Sequence, residues 1–536
     1  MRRFTTALIL ALLAGVALAS SAQAHEERAS TWPTYPGSVP QFRSSGRSEV
    51  VCKPDSRVRI LHKTHGATRR LNLRLLKRCR FRDIQRAVNV ARNGTRILVL
   101  PGVYKELPSR RKPLDDPRCA SMTTQTADAT AVPSYDYQLR CPNAKNLIAI
   151  VGDTNGDRRC DRHCNLQITG TARPRNVVIE GDGKKPNVIR ADRADGIYLG
   201  NFTAEYSDFN NIYVLETNGF HFNHIVTRWS REYGILSFTS EAGLYEHVDA
   251  YGAGDSGVYP GSGPQGRPSE QGCQTPDQRR THTYGIEIRN VDSHDNNLGY
   301  SGTSGDSVYS HDNRFHHNAT GIATDSFAAG HPGAPEHCSE WRHNYIYSNN
   351  FQIFSPQHRA YCRKPKSERS LKVVCSSFQV PLGTGALIAG GNGNIVRDNY
   401  VYDNWRSGWR LFYVPATFRG ENDPAKQTDT SNDNTFTNNR MGFSPAGRVL
   451  PNGSGSGRGD FWWDGEGHGN CWTANQAAPG RSITSEPASL PTDCGGVLFS
   501  PGDPMRISSQ ATCAEWDPSQ DPPPGCDWAD LPPRPR

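Results

Sequence analysis

Apolar and polar positions along this chain recur with a long period and show no helical stripe over most of its length. From Gly299-Tyr300 to Gly321-Ile322 the step is 22 residues; from Gly234-Ile235 to Gly257-Val258 it is 23, and Asn211-Ile212 lies another 23 earlier. Within each unit the apolar residues alternate over short runs, as in Ile212-Tyr-Val-Leu215 and Ser307-Val-Tyr-Ser310. The units also end alike, in Asn313-Arg-Phe-His-His-Asn318, Asn344-Tyr-Ile-Tyr-Ser-Asn349, Asn399-Tyr-Val-Tyr-Asp-Asn404 and Asn434-Thr-Phe-Thr-Asn-Asn439. A period of roughly 20–30 residues, built from short strands between Gly and Asn turns, is the mark of a solenoid.

Period-2 alternation makes that solenoid all-β, with each coil pairing its strands to the coils on either side. Equivalent positions then stack about 4.8 Å apart, so inward Val, Ile and Phe form columns and turn asparagines form amide ladders. Ahead of the repeat, Phe81–Ala91 places Ile84, Ala87, Val88 and Ala91 on one helical face, followed by a strand at Arg96–Leu100. An amphipathic helix there covers the open apolar end of the solenoid.

With these motifs the chain resembles the right-handed parallel β-helix superfamily, pectate-lyase-like and NosD-like proteins, over Phe81–Ser444. The resemblance implies the fold: a right-handed parallel β-helix with an N-terminal cap helix and disulfide-braced inserts. It leaves chemistry open among lyases, hydrolases, epimerases, esterases and non-enzymatic adhesins. Gly102-Val-Tyr-Lys-Glu106 is similar to a pectin methylesterase signature, but the later motifs of that family are missing, which excludes the esterase reading.

Met1–Ala24 reads as a secretory signal: Arg2 and Arg3, an apolar Ala7–Leu18, then Ala22-Gln-Ala24, too short a core for a membrane span. Arg2-Arg3 lacks the rest of a twin-arginine signal. All 14 cysteines follow it, an even count that suits an oxidising compartment. Local pairing is expected for Cys52–Cys79, Cys119–Cys141, Cys160–Cys164, Cys362–Cys375, Cys471–Cys494 and Cys513–Cys526, leaving Cys273 for Cys338. The expected organisation is a signal at 1–24, an extension at 25–78, the β-helix at 79–444 and a C-terminal cap with a Pro-rich tail at 445–536. Net charge is +8, or +6 without Arg2 and Arg3, with scattered basic residues. That excludes a nucleic-acid signature; the expected partner is an extracellular polysaccharide, and the expected state a secreted monomer without a membrane span.

Four coils carry long inserts, near Gly263–Thr283, Ala328–Cys338, Gln357–Gly383 and Pro415–Thr430, each read as following the strand that opens its coil. Inserts at one phase of a solenoid line a common wall. The insert-free coil Gly299–Thr320 between two of them is the expected floor of a groove. Asp306, Asp325, His282 and His331 are the catalytic candidates there, with Tyr259 and Arg280 for substrate. Carboxylates and imidazoles move protons near neutral pH, and a guanidinium neutralises a uronate. The expected activity is that of a polysaccharide lyase or glycoside hydrolase on an extracellular glycan, acidic ones included. The alternative is a non-catalytic glycan-binding or adhesion protein.

Asp153, Asn155, Asp157 and Asp161 space oxygen ligands at positions 1, 3, 5 and 9, as a structural calcium loop does, although glycine stands at position 4. Nine of 17 histidines fall between His282 and His358; the reading is turn and ladder chemistry, with His224 stacked on His247. Trp405, Trp409, Trp462, Trp463 and Trp472 are expected to cover the C-terminal end, and Arg458-Gly-Asp460 is only a lone tripeptide.

Overall fold

A corner made by one left-handed residue sets the path of every coil. In a computed structural model that describes residues 28–125, 131–263, 284–326, 331–333, 335–414, 416, 431–494, 504–514 and 516–536, Asn201, His224, His247, Asn290, Asp312, His343, Asp398, Asn438 and Ala474 occupy equivalent positions in successive coils. All have φ between 50° and 59°. Asn, Asp and His tolerate that conformation better than other non-glycine residues, which is why polar residues recur here.

From Asp312 onward the residue after each of these corners is an inward asparagine. Asn313, Asn344, Asn399, Asn439 and Asn475 form one ladder, each Nδ2 donating to the next Oδ1 at 2.9–3.1 Å. Asn296, Asn318, Asn349, Asn404 and Asn452 form a second, all four links at 3.1 Å. Asn434 and Asn470 continue a third from Asn394. The recurring six-residue motif is thus two rungs and the strand between them. Its partner in sequence is the Gly that opens each coil: a Cβ on Gly299 would lie 2.8 Å from Asn318 Nδ2, and one on Gly321 2.6 Å from Asn349 Nδ2.

Between the corners run two long sheets, parallel throughout. Among the described residues one has eleven strands, in the spatial order Ser485–Glu486, Gly459–Trp463, Ser407–Phe412, Thr384–Ala389, Thr320–Asp325, Leu298–Thr303, Ser256–Gly261, Ile235–Phe238, Asn210–Leu215, Asn187–Asp192 and Asn146–Val151. The other, with twenty strands, wraps the remaining sides of the coil. Inward residues of the first sheet, such as Ile189, Ile212, Ile235, Val258, Tyr300, Ile322 and Trp409, join one continuous core.

The ends are closed as the sequence implies, but the ladder runs further than 79–444. Helix Ile84–Val90 buries Ile84, Ala87 and Val88. Its Gln85 accepts from Ala149 N at 2.6 Å and donates to Ala149 O at 3.1 Å, satisfying the open edge of the first strand. Glu106, fully buried, caps that helix by accepting from Ile84 N and Gln85 N. Strand Ser48–Val51 already pairs with Arg96–Val99, so the extension opens the solenoid, and Ser485–Glu486 closes it. Trp409, Trp463 and Trp472 fill the interior of the last coils, whereas Trp462 turns outward. Asp460 is buried and receives Thr484 and Asn452, so the Arg-Gly-Asp tripeptide is not displayed.

Six disulfides join the expected local pairs. Cys338 is disulfide-bonded, and Cys273 lies outside the described residues. No helix among the described residues is long and apolar enough to cross a membrane. The signal stretch 1–24 lies outside them.

Candidate functional site

Strand register stacks the outward residues of the eleven-strand sheet into two columns. One reads Arg190, Tyr213, Leu236, Tyr259, Ser301, Ala323, Leu387, Arg410, Trp462. The other reads Asp192, Leu215, Phe238, Gly261, Thr303, Asp325, Ala389, Phe412. Two of the sequence candidates, Tyr259 and Asp325, therefore share one face, and Thr303 ties them together. Its backbone N–H donates to the Tyr259 hydroxyl at 3.2 Å, and its Oγ1 donates to Asp325 Oδ2 at 2.9 Å.

Asp255, absent from the sequence candidates, completes this group. It stands just before strand Ser256–Gly261, wholly buried beside Tyr233, whose ring meets Tyr259 edge-on at 4.6 Å. Burial, helped by the nearby charge of Asp325, pushes the Asp255 carboxyl up to about 7, against a pull downward from its hydrogen bond with Tyr233. Burial likewise drives the Tyr259 and Tyr233 hydroxyls up, far from ionisation at neutral pH. Asp325 is the more open member, 8% exposed against 1% for Asp255 and Tyr259.

Asp306 belongs to a different group. Its Oδ1 accepts from the backbone of His337 at 2.6 Å and its Oδ2 lies 3.2 Å from that imidazole. Glu336 beside it is fully buried and pushed up to about 8, by burial first and then by the Asp306 charge. Among the described residues, Asp325 is thus tied to Thr303 with Asp255 nearby, and Asp306 to His337. A sequence signal existed: Gly254-Asp-Ser256 and Gly305-Asp-Ser307 are the same tripeptide, but the first precedes a strand of the eleven-strand sheet and the second a strand of the other. His331 packs edge-on against Phe238 at 5.3 Å, on the same face but nearer the chain's start. His282 and Arg280 lie outside the described residues.

One insert sits at a different phase from the one expected. The 357–383 segment enters strand Thr384–Ala389 rather than leaving a strand of that sheet, so it borders the opposite edge. There it packs Val374, Val380 and Leu382 on the outward face with Leu387 and Ala389.

The 153–161 loop folds around Asp153. That carboxylate accepts from Gly156 N at 2.7 Å, Arg158 N at 3.0 Å and Arg193 Nη1 at 2.7 Å. Asp161 accepts from Thr154, and Asp157 from Arg159 N. Position 1 of the loop is thus engaged by a guanidinium and by backbone amides.

His224, His247, His294, His311 and His316 line the outside of the other sheet. His224 and His247 stack at 4.6 Å. A stripe runs Tyr251, His294, His316, Tyr347, Tyr402 with neighbouring rings 4.8–5.2 Å apart. Asp249 and Asp295 hold the His294 imidazolium up at about 10.

No protein-family model and no curated protein sequence matches the chain. Solved structures share its course at low similarity. An alginate lyase from Paenibacillus sp. str. FPU-7 is 12% identical with a TM-score of 0.35, the match covering 75% of this chain and 93% of that one. Pectate lyase Pel9A is 11% identical at a TM-score of 0.31, covering 84% and 82%. The catalytic domain of an α-1,3-glucanase is 8% identical at 0.35, covering 85% and 69%. The fold is the right-handed parallel β-helix. At these values the likeness concerns the path of the chain and leaves its chemistry to the residues.

Proposed function

We propose that this chain is a secreted carbohydrate-active protein whose working face is the outward side of the eleven-strand sheet, with turnover of an extracellular glycan centred on Asp325. The observation that carries this reading is the Asp255–Tyr259–Thr303–Asp325 group. A carboxyl that burial holds up to about 7, beside a second and more open carboxylate, is a grouping that acid/base chemistry on a glycosidic linkage can use. In this reading Asp325, the most open member, meets substrate, and Tyr259 positions it through Thr303. Disulfides throughout the chain agree with an oxidising, extracellular setting.

A second reading has its own support. Asp255 and Tyr259 are almost wholly buried, which suits a rigid glycan-binding face without turnover. A panel of neutral and acidic polysaccharides, followed by reducing ends and by the ultraviolet absorbance of an unsaturated uronate, separates the two. Reducing ends alone mean hydrolysis; reducing ends with absorbance mean elimination. Retention on an immobilised glycan with neither signal means binding, and loss of all three overturns the proposal. Asp325→Asn must abolish any turnover while leaving the melting midpoint in place.

A further inference from the structure

Further along the same columns, the outward face is covered by the chain's own C-terminal segment. Helix Pro504–Ala514 and the stretch that follows lay Trp516 and Trp528 over Leu387, Ala389, Phe412 and Trp462. Under this cover lies Arg410, 2% exposed. Its guanidinium sits 4.2 Å over the Trp462 ring and 5.5 Å from that of Phe412. Its hydrogen bonds go to neutral groups: Ser407 Oγ at 3.3 Å, Gly457 O at 3.2 Å and Gln510 Oε1 at 3.1 Å, the last from the covering helix. Nε has no partner among the described residues.

A guanidinium this deep is ordinarily matched by a carboxylate, because leaving a charge buried without one is costly. Burial, with the nearby charge of Arg406, lowers Arg410 to about 9. The missing partner has the chemistry of an anion, and the surrounding rings have the chemistry of a sugar-stacking wall. Arg410 stands two coils beyond Asp325, about 10 Å at the spacing of stacked strands, within reach of one oligosaccharide.

The cover is attached in a way that permits release. Its disulfide, Cys513–Cys526, closes within the segment, whereas Cys471–Cys494 ends just ahead of it. Its most buried polar hold on the solenoid is Arg406, which donates to Asp527 Oδ2 at 2.6 Å, Asp527 O at 2.7 Å and Asp530 O at 2.6 Å. Leu382 N also donates to Trp528 O at 3.1 Å, and more exposed ion pairs join Arg359 and Arg363 to Asp521, Arg506 to Glu486 and Arg534 to Asp403. We infer that Arg410, with Trp462 and Phe412, is a subsite for the carboxylate of an acidic sugar, held closed by residues 504–536 acting as a strap. This rests on the reading of the outward face as the glycan face.

The test inserts a specific protease site between Cys494 and Pro504 in the full chain and compares intact and cut protein by calorimetry. The probes are an oligogalacturonate and a neutral galactose oligomer of the same length. Release of the strap, seen by gel filtration, is expected to tighten oligogalacturonate binding at least tenfold, leave the neutral oligomer unchanged, and give no gain in Arg410→Met. A strap that stays bound after cutting even in an Arg406→Gln background, a cut chain that no longer melts cooperatively, or an equal gain in Arg410→Met would each overturn the inference. If the intact protein turns over or binds a neutral glycan and cutting adds nothing, the subsite fails while the proposed function stands. If no glycan is bound or turned over in either state, both fail.

Discussion

The two ends of the outward face bury charge in opposite ways. Toward the start, Arg190 is bidentate to Asp192 at 3.0 and 3.1 Å, and Arg193 bridges Asp153 and Glu216 at 2.7 and 2.8 Å, with Arg28 adding 2.6 Å to Glu216. Every guanidinium there has a carboxylate. Toward the end, Arg410 has none among the described residues, and Asp464, one coil on and pushed up to about 7 by burial, is held by backbone amides of Tyr413 and Glu466. Matched charges make the first cover, the N-terminal segment that also donates Trp32 Nε1 to Ser262 O, part of the fold. The second cover has a matched contact, Arg406 with Asp527, and leaves Arg410 beneath it without a carboxylate among the described residues, which marks it as the more exchangeable of the two.

The sharpest way to break this contrast is to remove each guanidinium. Arg193→Met leaves the buried Asp153 without a cation and Glu216 with Arg28 alone, and is expected to lower stability by about 3–5 kcal/mol, read from denaturant unfolding. Arg410→Met is expected to be neutral or stabilising by about 1 kcal/mol, since it removes an uncompensated buried charge. Equal losses at both sites would erase the distinction. Between these sits the ladder: Asn399→Ala strands the Asn439 and Asn344 amides and is expected to cost about 1–3 kcal/mol.

A smaller, pH-dependent effect comes from Asp255. Its folded carboxyl titrates near 7 against an ordinary 3.8, so the fold binds the proton more tightly than the unfolded chain. The group's stability contribution is full below pH 3.8 and is lost as pH rises through 7. Asp255→Asn should therefore gain on the parent across that window, and a flat difference in melting midpoint from pH 4 to 8 would count against the burial argument. Chelation is expected to have the smallest effect: removing calcium should leave the midpoint in place, because Arg193 already holds Asp153.

The fold was legible because its determinants are local. A left-handed corner, an inward asparagine and a coil-opening glycine lie within a few residues of one another, and each leaves a mark in the sequence. Tyr259 and Asp325 could be brought together from the same register. Asp255 could not be told from Asp306 by its tripeptide, because which face an aspartate serves depends on how many residues separate it from the preceding corner. The phase of the 357–383 insert was hidden for the same reason. The strap was illegible because its contacts join residues about 100 or more positions apart, such as Arg410 with Gln510 and Arg406 with Asp527.

The second asparagine ladder has a consequence for how such a chain can change. Its consecutive rungs are 22, 31, 55 and 48 residues apart in sequence, yet each link is the same 3.1 Å. The amides act as an index that re-zeroes the coil after any detour, so the length of one loop is never communicated to the next. Lineages and engineers alike can therefore graft loops at the corners as interchangeable cassettes, altering what the molecule recognises without renegotiating how it folds.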